Sequence, residues 1–135
     1  MSLAVVIKGP EGIVLAADSR VTVQATPVGG STTTAYFDNA TKLLSFHGRY
    51  ASIGAVTYGA AVLNLRTANS FIPQFEAGLK NELLTVEAFA EALGRFFMDR
   101  WREVAADHDS GPPMQFIVGG YNEEAPYGEV YVISV

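Results

Sequence analysis

The sequence predicts an α+β fold in which helices cover one face of a sheet and a second sheet covers the other face. The predicted strands are apolar along their whole length, which is typical of strands buried on both faces. The elements run from strands through two helices to further strands, without the alternation that produces a doubly wound sheet. The chain has 135 residues, of which 49 % are apolar and 17 % are charged. This length and composition predict a single globular domain over residues 1–135.

The first predicted element is a β-hairpin. Residues 4–7 and 13–17 are two apolar runs, and the five residues between them contain two glycines and a proline. Turn residues between two apolar runs predict a hairpin with a longer loop. Because the runs do not alternate with polar residues, both faces of this hairpin are expected to be covered.

The rest of the strand pattern is less regular. Residues 22–40 are polar and rich in turn-forming residues, which indicates a loop or an irregular hairpin at a sheet edge. Strands are predicted again at residues 42–46 and 50–56. Two final strands are predicted at residues 114–120 and 129–135, around a polar turn.

Two amphipathic helices are predicted between these strand regions. Their apolar residues recur at steps of three and four, which places them on one face of each helix. Pro73 lies inside the first pattern and predicts a kink there, while Thr85 and Glu87 predict the N-cap and first turn of the second helix. The two apolar faces consist of Ala61, Leu65, Ala68, Ile72, Phe75 and Leu79, and of Val86, Phe89, Leu93, Phe97, Trp101 and Val104.

The predicted layers are incomplete at one side. A stacked pair of sheets needs a helical layer on each outer face, but only two helices are predicted, and they supply one layer. The sequence also stops on an apolar strand, whose edge has to be covered by another chain or by a further segment. We therefore expect the natural protein to continue beyond Val135.

Composition excludes several classes of function. Nine basic and 14 acidic residues give a net charge of −5, which argues against a nucleic-acid surface, and the absence of cysteine excludes thiolate chemistry. No apolar run approaches the ~20 residues that span a bilayer, so we expect a cytoplasmic protein without membrane contact. Neither His47 nor the run Asp107, His108 and Asp109 has the spacing of a ligand set, so no metal or cofactor is expected.

Four segments together resemble one protein family. They are residues 12–22 (GIVLAADSRVT), 39–44 (NATKLL), 51–56 (ASIGAV) and 116–120 (FIVGG). In these segments the chain is similar to proteasome β-type subunits, which are N-terminal nucleophile (Ntn) hydrolases, and it looks like a bacterial proteasome-like homologue. The resemblance covers roughly the first two-thirds of a usual subunit. It implies a four-layer αββα Ntn-hydrolase sandwich that lacks its C-terminal part in this chain.

The resemblance also implies catalytic residues. Ser2 falls at the position of the nucleophile, where the family usually has threonine, and its α-amine acts as general base once Met1 is removed. The implied role of Lys42 is to favour the developing alkoxide and the neutral amine. Asp18 is the implied anionic partner of Lys42, and Arg20 is the residue that organises this pair.

An oxyanion donor and a substrate pocket are implied in the same way. The backbone N–H of Ala55 falls at the donor position, which is usually a glycine. The pocket for the side chain before the cleaved bond is apolar and uncharged, which favours uncharged apolar substrate side chains. Its implied lining consists of Val21, Ala40, Leu44, Ile53 and Thr57. Two further support groups of the family, a Ser and an Asp, belong to the last third of the usual subunit.

Three functions remain open from the sequence. The predicted one is a threonine/serine-type Ntn peptidase that cleaves polypeptides inside a homo-oligomeric ring, with an ATP-dependent unfoldase as a partner. A non-catalytic, proteasome-like assembly subunit is the first alternative, because Met-Ser-Leu is also a start that expression vectors add and the natural first residue is then hidden. The second alternative is an amidase of the same superfamily that acts on a small molecule.

Overall fold

The computed structural model describes residues 2–25, 30–60, 62–63, 66–79, 83–104 and 113–135. Within these ranges the fold mixes helices and strands, as the sequence predicts. The strands are β1 (Ala4–Gly9), β2 (Gly12–Ala17), β3 (Val21–Ala25), β4 (Thr33–Phe37), β5 (Leu43–Ser45), β6 (Ile53–Gly59), β7 (Val62–Leu63), β8 (Arg66–Thr67), β9 (Met114–Gly120) and β10 (Glu129–Ser134). The helices are α1 (Ile72–Gly78) and α2 (Val86–Val104), with short 3-10 helices at Gly48–Tyr50 and Ala68–Phe71.

A four-stranded antiparallel sheet of order β10-β9-β6-β5 forms the centre of the described structure. On one face, Phe97 of α2 packs against Phe116 of β9 with ring centroids 4.7 Å apart. On the other face, Leu15 of β2 lies so close to Gly54 of β6 that a Cβ there would be 2.9 Å from Leu15 Cδ1. The central sheet is thus covered by helix on one face and by the β1–β2 hairpin on the other, which confirms the predicted order of these three layers.

The β1–β2 hairpin is tighter and more exposed than predicted. Its ladder continues to Gly9 opposite Gly12, so the turn is short and the prediction of a longer loop is wrong. The reason is that both glycines extend the pairing instead of ending it. The outward-facing residues Val5, Ile7 and Val14 are 40 %, 62 % and 59 % exposed, so the expected cover on both faces is not present among the described residues.

Of the loop and the irregular edge hairpin predicted for residues 22–40, the structure shows a hairpin of β3 and β4, but it is a two-stranded sheet of its own and not an edge of the central sheet. Its strands pair from Val21 opposite Phe37 to Ala25 opposite Thr33, and β4 is exposed along its length. Further along the chain, β6 begins only at Ile53, because a 3-10 helix occupies Gly48–Tyr50. The predicted strand over residues 50–56 therefore starts three residues late and runs on to Gly59.

The first predicted helix is much shorter than its apolar pattern suggests. α1 starts at Ile72 and has Pro73 in its first turn. The first N–H groups of a helix have no intrahelical acceptor, so a proline there begins the helix and the predicted kink is wrong. The preceding residues form β7, β8 and a 3-10 helix instead of helical turns. Ala61 and Leu65, which belong to the predicted pattern, lie outside the described residues.

The second predicted helix agrees with the structure. Thr85 caps it as predicted, since Ala88 N–H donates to Thr85 Oγ1 over 3.2 Å. Its fully buried face consists of Val86, Phe89, Leu93 and Phe97. In the part of the chain that the structure describes, neither helix has the length and apolar character needed to cross a membrane.

Candidate active site

The open end of the β1–β2 hairpin holds the start of the chain beside Asp18. Ala4 pairs with Ala17, so the residues just outside the ladder, Leu3 and Asp18, remain neighbours. Leu3 N–H donates to Asp18 Oδ1 over 2.8 Å, and Asp18 N–H donates to the Leu3 carbonyl over 3.1 Å. Ser2, the next residue out, is therefore held at the same end of the hairpin as the Asp18 carboxylate.

Lys42 reaches this point from the central sheet. It directly precedes β5, and its carbonyl accepts the N–H of Thr57 in β6 over 3.0 Å, so the strand ladder fixes its backbone. Lys42 Nζ donates to both carboxylate oxygens of Asp18, each over 2.9 Å, and to Ser2 Oγ over 3.3 Å. The structure thus brings Ser2 and Asp18 together at Lys42 Nζ, which is the arrangement that the resemblance implies.

The two charged groups of this site are unequally shielded from water. The Lys42 side chain is 4 % exposed, whereas that of Asp18 is 28 % exposed. Burial raises the pKa of Asp18, but hydrogen bonds from Leu3 N–H, Lys42 Nζ and Arg20 N–H outweigh that effect and hold the pKa below its usual range. Asp18 is therefore anionic at neutral pH and provides a fixed counter-charge for Lys42.

Arg20 contributes its backbone to Asp18 and its side chain to another residue. Arg20 N–H donates to Asp18 Oδ2 over 3.2 Å. The guanidinium instead forms a two-point ion pair with Asp38, with Nε 2.5 Å from Oδ1 and Nη2 3.2 Å from Oδ2. The hydrogen bond that Arg20 gives to Asp18 thus comes from its backbone, whereas its guanidinium is held by Asp38.

The structure places Ala55 inside the central sheet. Ala55 is fully buried in β6, opposite Leu44 of β5 and Val118 of β9. A residue between two paired strands gives its N–H to one of them, so this N–H is not free to bind an oxyanion. The implied role fails because β6 continues as a strand to Gly59 instead of ending near Ala55.

A pocket of about 460 Å³ lies next to the site, and its lining includes Thr41, the residue that precedes Lys42. Of the five implied lining residues, Val21 and Ala40 line it. Leu44 and Ile53 instead belong to the core beneath the helices, and Thr57 is buried without a described partner for its hydroxyl. The observed lining is uncharged and consists of Val21, Val23, Phe37, Asn39, Ala40, Thr41, Val62, Thr67 and Asn69.

The described residues contain no group of side chains that could form a metal site. No three His, Cys, Asp or Glu side chains are grouped there in a way that could bind a metal ion. His47 is exposed, and its N–H donates to Glu76 Oε1 over 2.6 Å. Asp107, His108 and Asp109 lie outside the described residues.

Sequence reasoning missed Asp38, although a signal for it was present. Val21 lies opposite Phe37 in the β3–β4 hairpin, so the same register places Arg20 opposite Asp38. Treating residues 22–40 as a hairpin and working out its register would therefore have predicted the ion pair. The part of the pocket lining that comes from β7, β8 and Asn69 could not be predicted in this way, because the apolar spacing of this region predicted a helix.

The site offers a cation that lies within hydrogen-bonding distance of both a hydroxyl and an anion. Ser2 supplies the hydroxyl, Lys42 the cation and Asp18 the anion. Nucleophilic catalysis by a hydroxyl requires such neighbours, because an isolated hydroxyl is a weak nucleophile.

Comparison with family models, curated proteins and solved structures finds no match.

Proposed function

We propose that the protein is a threonine/serine-type N-terminal nucleophile peptidase that hydrolyses peptide bonds. The observation that carries this proposal is the 3.3 Å contact between Ser2 Oγ and Lys42 Nζ, with Nζ held at 2.9 Å from both Asp18 oxygens. This contact joins a hydroxyl near the start of the chain to a buried cation, as activation of that hydroxyl requires. The resemblance to proteasome β-type subunits supports the same assignment.

In the proposed reaction, removal of Met1 frees the α-amine of Ser2. The neutral amine takes the hydroxyl proton while Oγ attacks the carbonyl carbon of the substrate, and Lys42 stabilises the negative charge that develops. The carbon–nitrogen bond breaks when the leaving amine receives that proton, which leaves an ester on Ser2. Water then attacks the ester with the α-amine again as base, releases the carboxylic acid and restores the hydroxyl.

We further propose the four-layer αββα Ntn-hydrolase architecture, in a homo-oligomeric ring. The support is the apolar outer face of the β1–β2 hairpin, where Val5, Ile7 and Val14 are exposed, since such faces mark interaction surfaces. A ring encloses the nucleophile, so only polypeptide chains unfolded by an ATP-dependent partner reach it. The absence of cysteine is compatible with a cytoplasmic enzyme.

Two other functions have an observation in their favour. A non-catalytic assembly subunit is favoured by the position of Ala55, whose N–H belongs to a strand ladder and not to an oxyanion site. An amidase that acts on a small molecule is favoured by the pocket, because 460 Å³ lies in the range of small-molecule sites. The first alternative predicts no covalent labelling of residue 2, and the second predicts labelling without turnover of peptides.

We expect a peptide epoxyketone to label Ser2. Such a probe closes a ring only on a residue that carries both a hydroxyl and a free α-amine, so labelling tests both groups of the proposed nucleophile. Intact-mass analysis should show loss of Met1 and one adduct per chain, and peptide mapping should place the adduct on Ser2. Ser2→Thr should still be labelled, since threonine has the same hydroxyl with a stiffer side chain.

Matched variants make this labelling specific. Ser2→Ala should abolish the adduct, whereas Ser45→Ala removes an exposed hydroxyl of β5 and should leave labelling unchanged. An adduct that persists in Ser2→Ala, or a chain that retains Met1, would contradict the proposal. Labelling of Ser2 without hydrolysis of any peptide would favour the amidase.

The uncharged pocket predicts a preference for uncharged side chains before the cleaved bond. Val23 lines the pocket, and Val23→Asp would place a carboxylate in a wall that otherwise carries no charge. We expect this variant to shift preference toward Lys or Arg by about tenfold or more, because hydrogen bonds to charged groups contribute about 1.5–3 kcal/mol. The measurement is the ratio of kcat/KM for peptides that differ only at this position.

A control for the pocket variant is Val132→Asp, which adds the same charge at an exposed position of β10 outside this pocket. The control should leave the kcat/KM ratio unchanged. If Val23→Asp also leaves it unchanged in an active enzyme, the pocket does not receive the substrate side chain.

A further inference from the structure

Arg20 links the segment that carries Asp18 to the segment that leads into Lys42. Its backbone N–H donates to Asp18 Oδ2 over 3.2 Å, and its guanidinium holds both oxygens of Asp38. Beside this pair, Ala40 N–H donates to the Ser19 carbonyl over 3.0 Å. One side chain and one backbone hydrogen bond therefore join residues 18–20 to residues 38–40.

The linked segments end at the two functional parts of the site. Asp18 is the anionic partner of Lys42, and residues 39–41, which follow Asp38 directly, line the uncharged pocket. Lys42 is the next residue after this pocket wall. A shift between the two segments would therefore change the distance from the Asp18 carboxylate to Lys42 and move one wall of the pocket.

The ion pair itself is built at the surface. Arg20 and Asp38 are 59 % and 65 % exposed, and the guanidinium also lies over the Tyr36 ring, 5.9 Å from its centroid. The hydrogen bond from Arg20 holds the pKa of Asp38 below its usual range, so both groups are charged at neutral pH. Exposure makes the pair sensitive to salt, because mobile ions screen it.

We infer that Arg20 and Asp38 are positioning residues, which clamp the Asp18 segment onto the pocket wall that leads to Lys42. This inference rests on the proposed peptidase function. The clamp touches no reacting atom. It acts through the hydrogen bond from Arg20 N–H to Asp18 and through the backbone between Asp38 and Lys42.

We expect Arg20→Gln and Asp38→Asn each to lower kcat/KM for peptide hydrolysis by up to about fivefold, the range of an exposed ion pair. The matched control is Arg95→Gln, which breaks an equally exposed pair with Glu91 on α2 and should leave kcat/KM unchanged. Raising the ionic strength to about 1 M should lower the wild-type value toward that of Arg20→Gln, because the screening length then falls to about 3 Å.

The charge-swapped double variant tests whether the attraction between residues 20 and 38 is what supports activity. Arg20→Asp combined with Asp38→Arg restores opposite charges across the β3–β4 register, and residue 20 keeps its backbone N–H toward Asp18. We expect kcat/KM to recover toward the wild-type value. A loss caused by the charge at either single position would not recover, because the swap reverses the charge at both positions.

Amide hydrogen exchange tests the clamp without any turnover. Ala40 N–H donates across the joined segments to the Ser19 carbonyl, and the N–H groups of Leu3 and of residue 20 donate to the Asp18 carboxylate. In Arg20→Gln we expect all three to exchange several times faster than in the wild type or in Arg95→Gln. Unchanged exchange at all three would overturn the inference, whatever the rates of hydrolysis.

Faster exchange with unchanged kcat/KM in an active enzyme would overturn the positioning role. A wild-type protein without hydrolysis would refute the peptidase proposal, and exchange alone would then decide whether the clamp holds the site together.

Discussion

Replacing Lys42 by methionine is expected to abolish peptide hydrolysis while the protein stays folded. Methionine keeps the apolar stem of the side chain but removes the cation that lies 3.3 Å from Ser2 Oγ. Without this cation, the stabilisation that Lys42 gives to the alkoxide and its repulsion of the protonated α-amine are lost. Activation of this kind contributes on the order of 10²–10⁴ in rate, so kcat should fall by that factor. The measurement is kcat and KM for a fluorogenic peptide.

The effect of Lys42→Met on stability should be much smaller than its effect on rate. Asp18 keeps its hydrogen bonds from the N–H groups of Leu3 and Arg20, and it remains in contact with water. We expect the free energy of unfolding to fall by on the order of 1 kcal/mol. Lys8→Met, which changes an exposed lysine of β1, is the matched control. Hydrolysis at the wild-type rate in Lys42→Met would remove Lys42 from the mechanism.

Local patterns predicted much of the fold. The apolar runs around a glycine-rich turn located the first hairpin, and the 3.6-residue period with Thr85 as N-cap located α2. The helical period misled at residues 62–63 and 66–71, where the structure has short strands and a 3-10 helix with Leu63, Ala68 and Phe71 buried. Pro73 was the available warning, since a proline is better tolerated at the start of a helix than inside it.

The residues of the site were predicted from the resemblance, and those at the end of the first hairpin agree best with the structure. The resemblance implied Ser2 and Asp18, and the end of the β1–β2 ladder places both residues at the same end of the hairpin. Ala55, Leu44 and Ile53 failed because their place depends on how far β6 extends and on which face of the sheet they occupy. A difference of one residue in register exchanges those faces, and strands that are apolar throughout have no alternation that would specify which residues face which side.

Asp18→Asn should destabilise the protein far more than Lys42→Met does. It leaves Lys42, whose side chain is 4 % exposed, without its anionic partner and without ready access to water. Removal of one member of a buried pair costs about 3–5 kcal/mol, and we expect a loss in the free energy of unfolding of this size. The combined variant Asp18→Asn with Lys42→Met should regain part of it, because no unpaired charge then remains buried. The measurement is the free energy of unfolding in urea for the wild type, the two single variants and the combined variant. Equal losses in the two single variants would show that the burial of Lys42 does not determine the cost of breaking the pair.

The contribution of this pair should also depend on pH in one direction. The pKa of Asp18 is lowered in the folded protein, so the unfolded chain binds this proton at a higher pH than the folded chain does. The stabilisation is therefore complete above the unfolded pKa and is lost as the pH falls through the lower folded pKa. The difference in the free energy of unfolding between the wild type and the combined variant should be constant from pH 7 to about pH 5 and should shrink below about pH 4. Because the combined variant lacks the carboxyl group, the same pH dependence in both proteins would mean that other acidic groups cause it and that Asp18 is not held in its charged form.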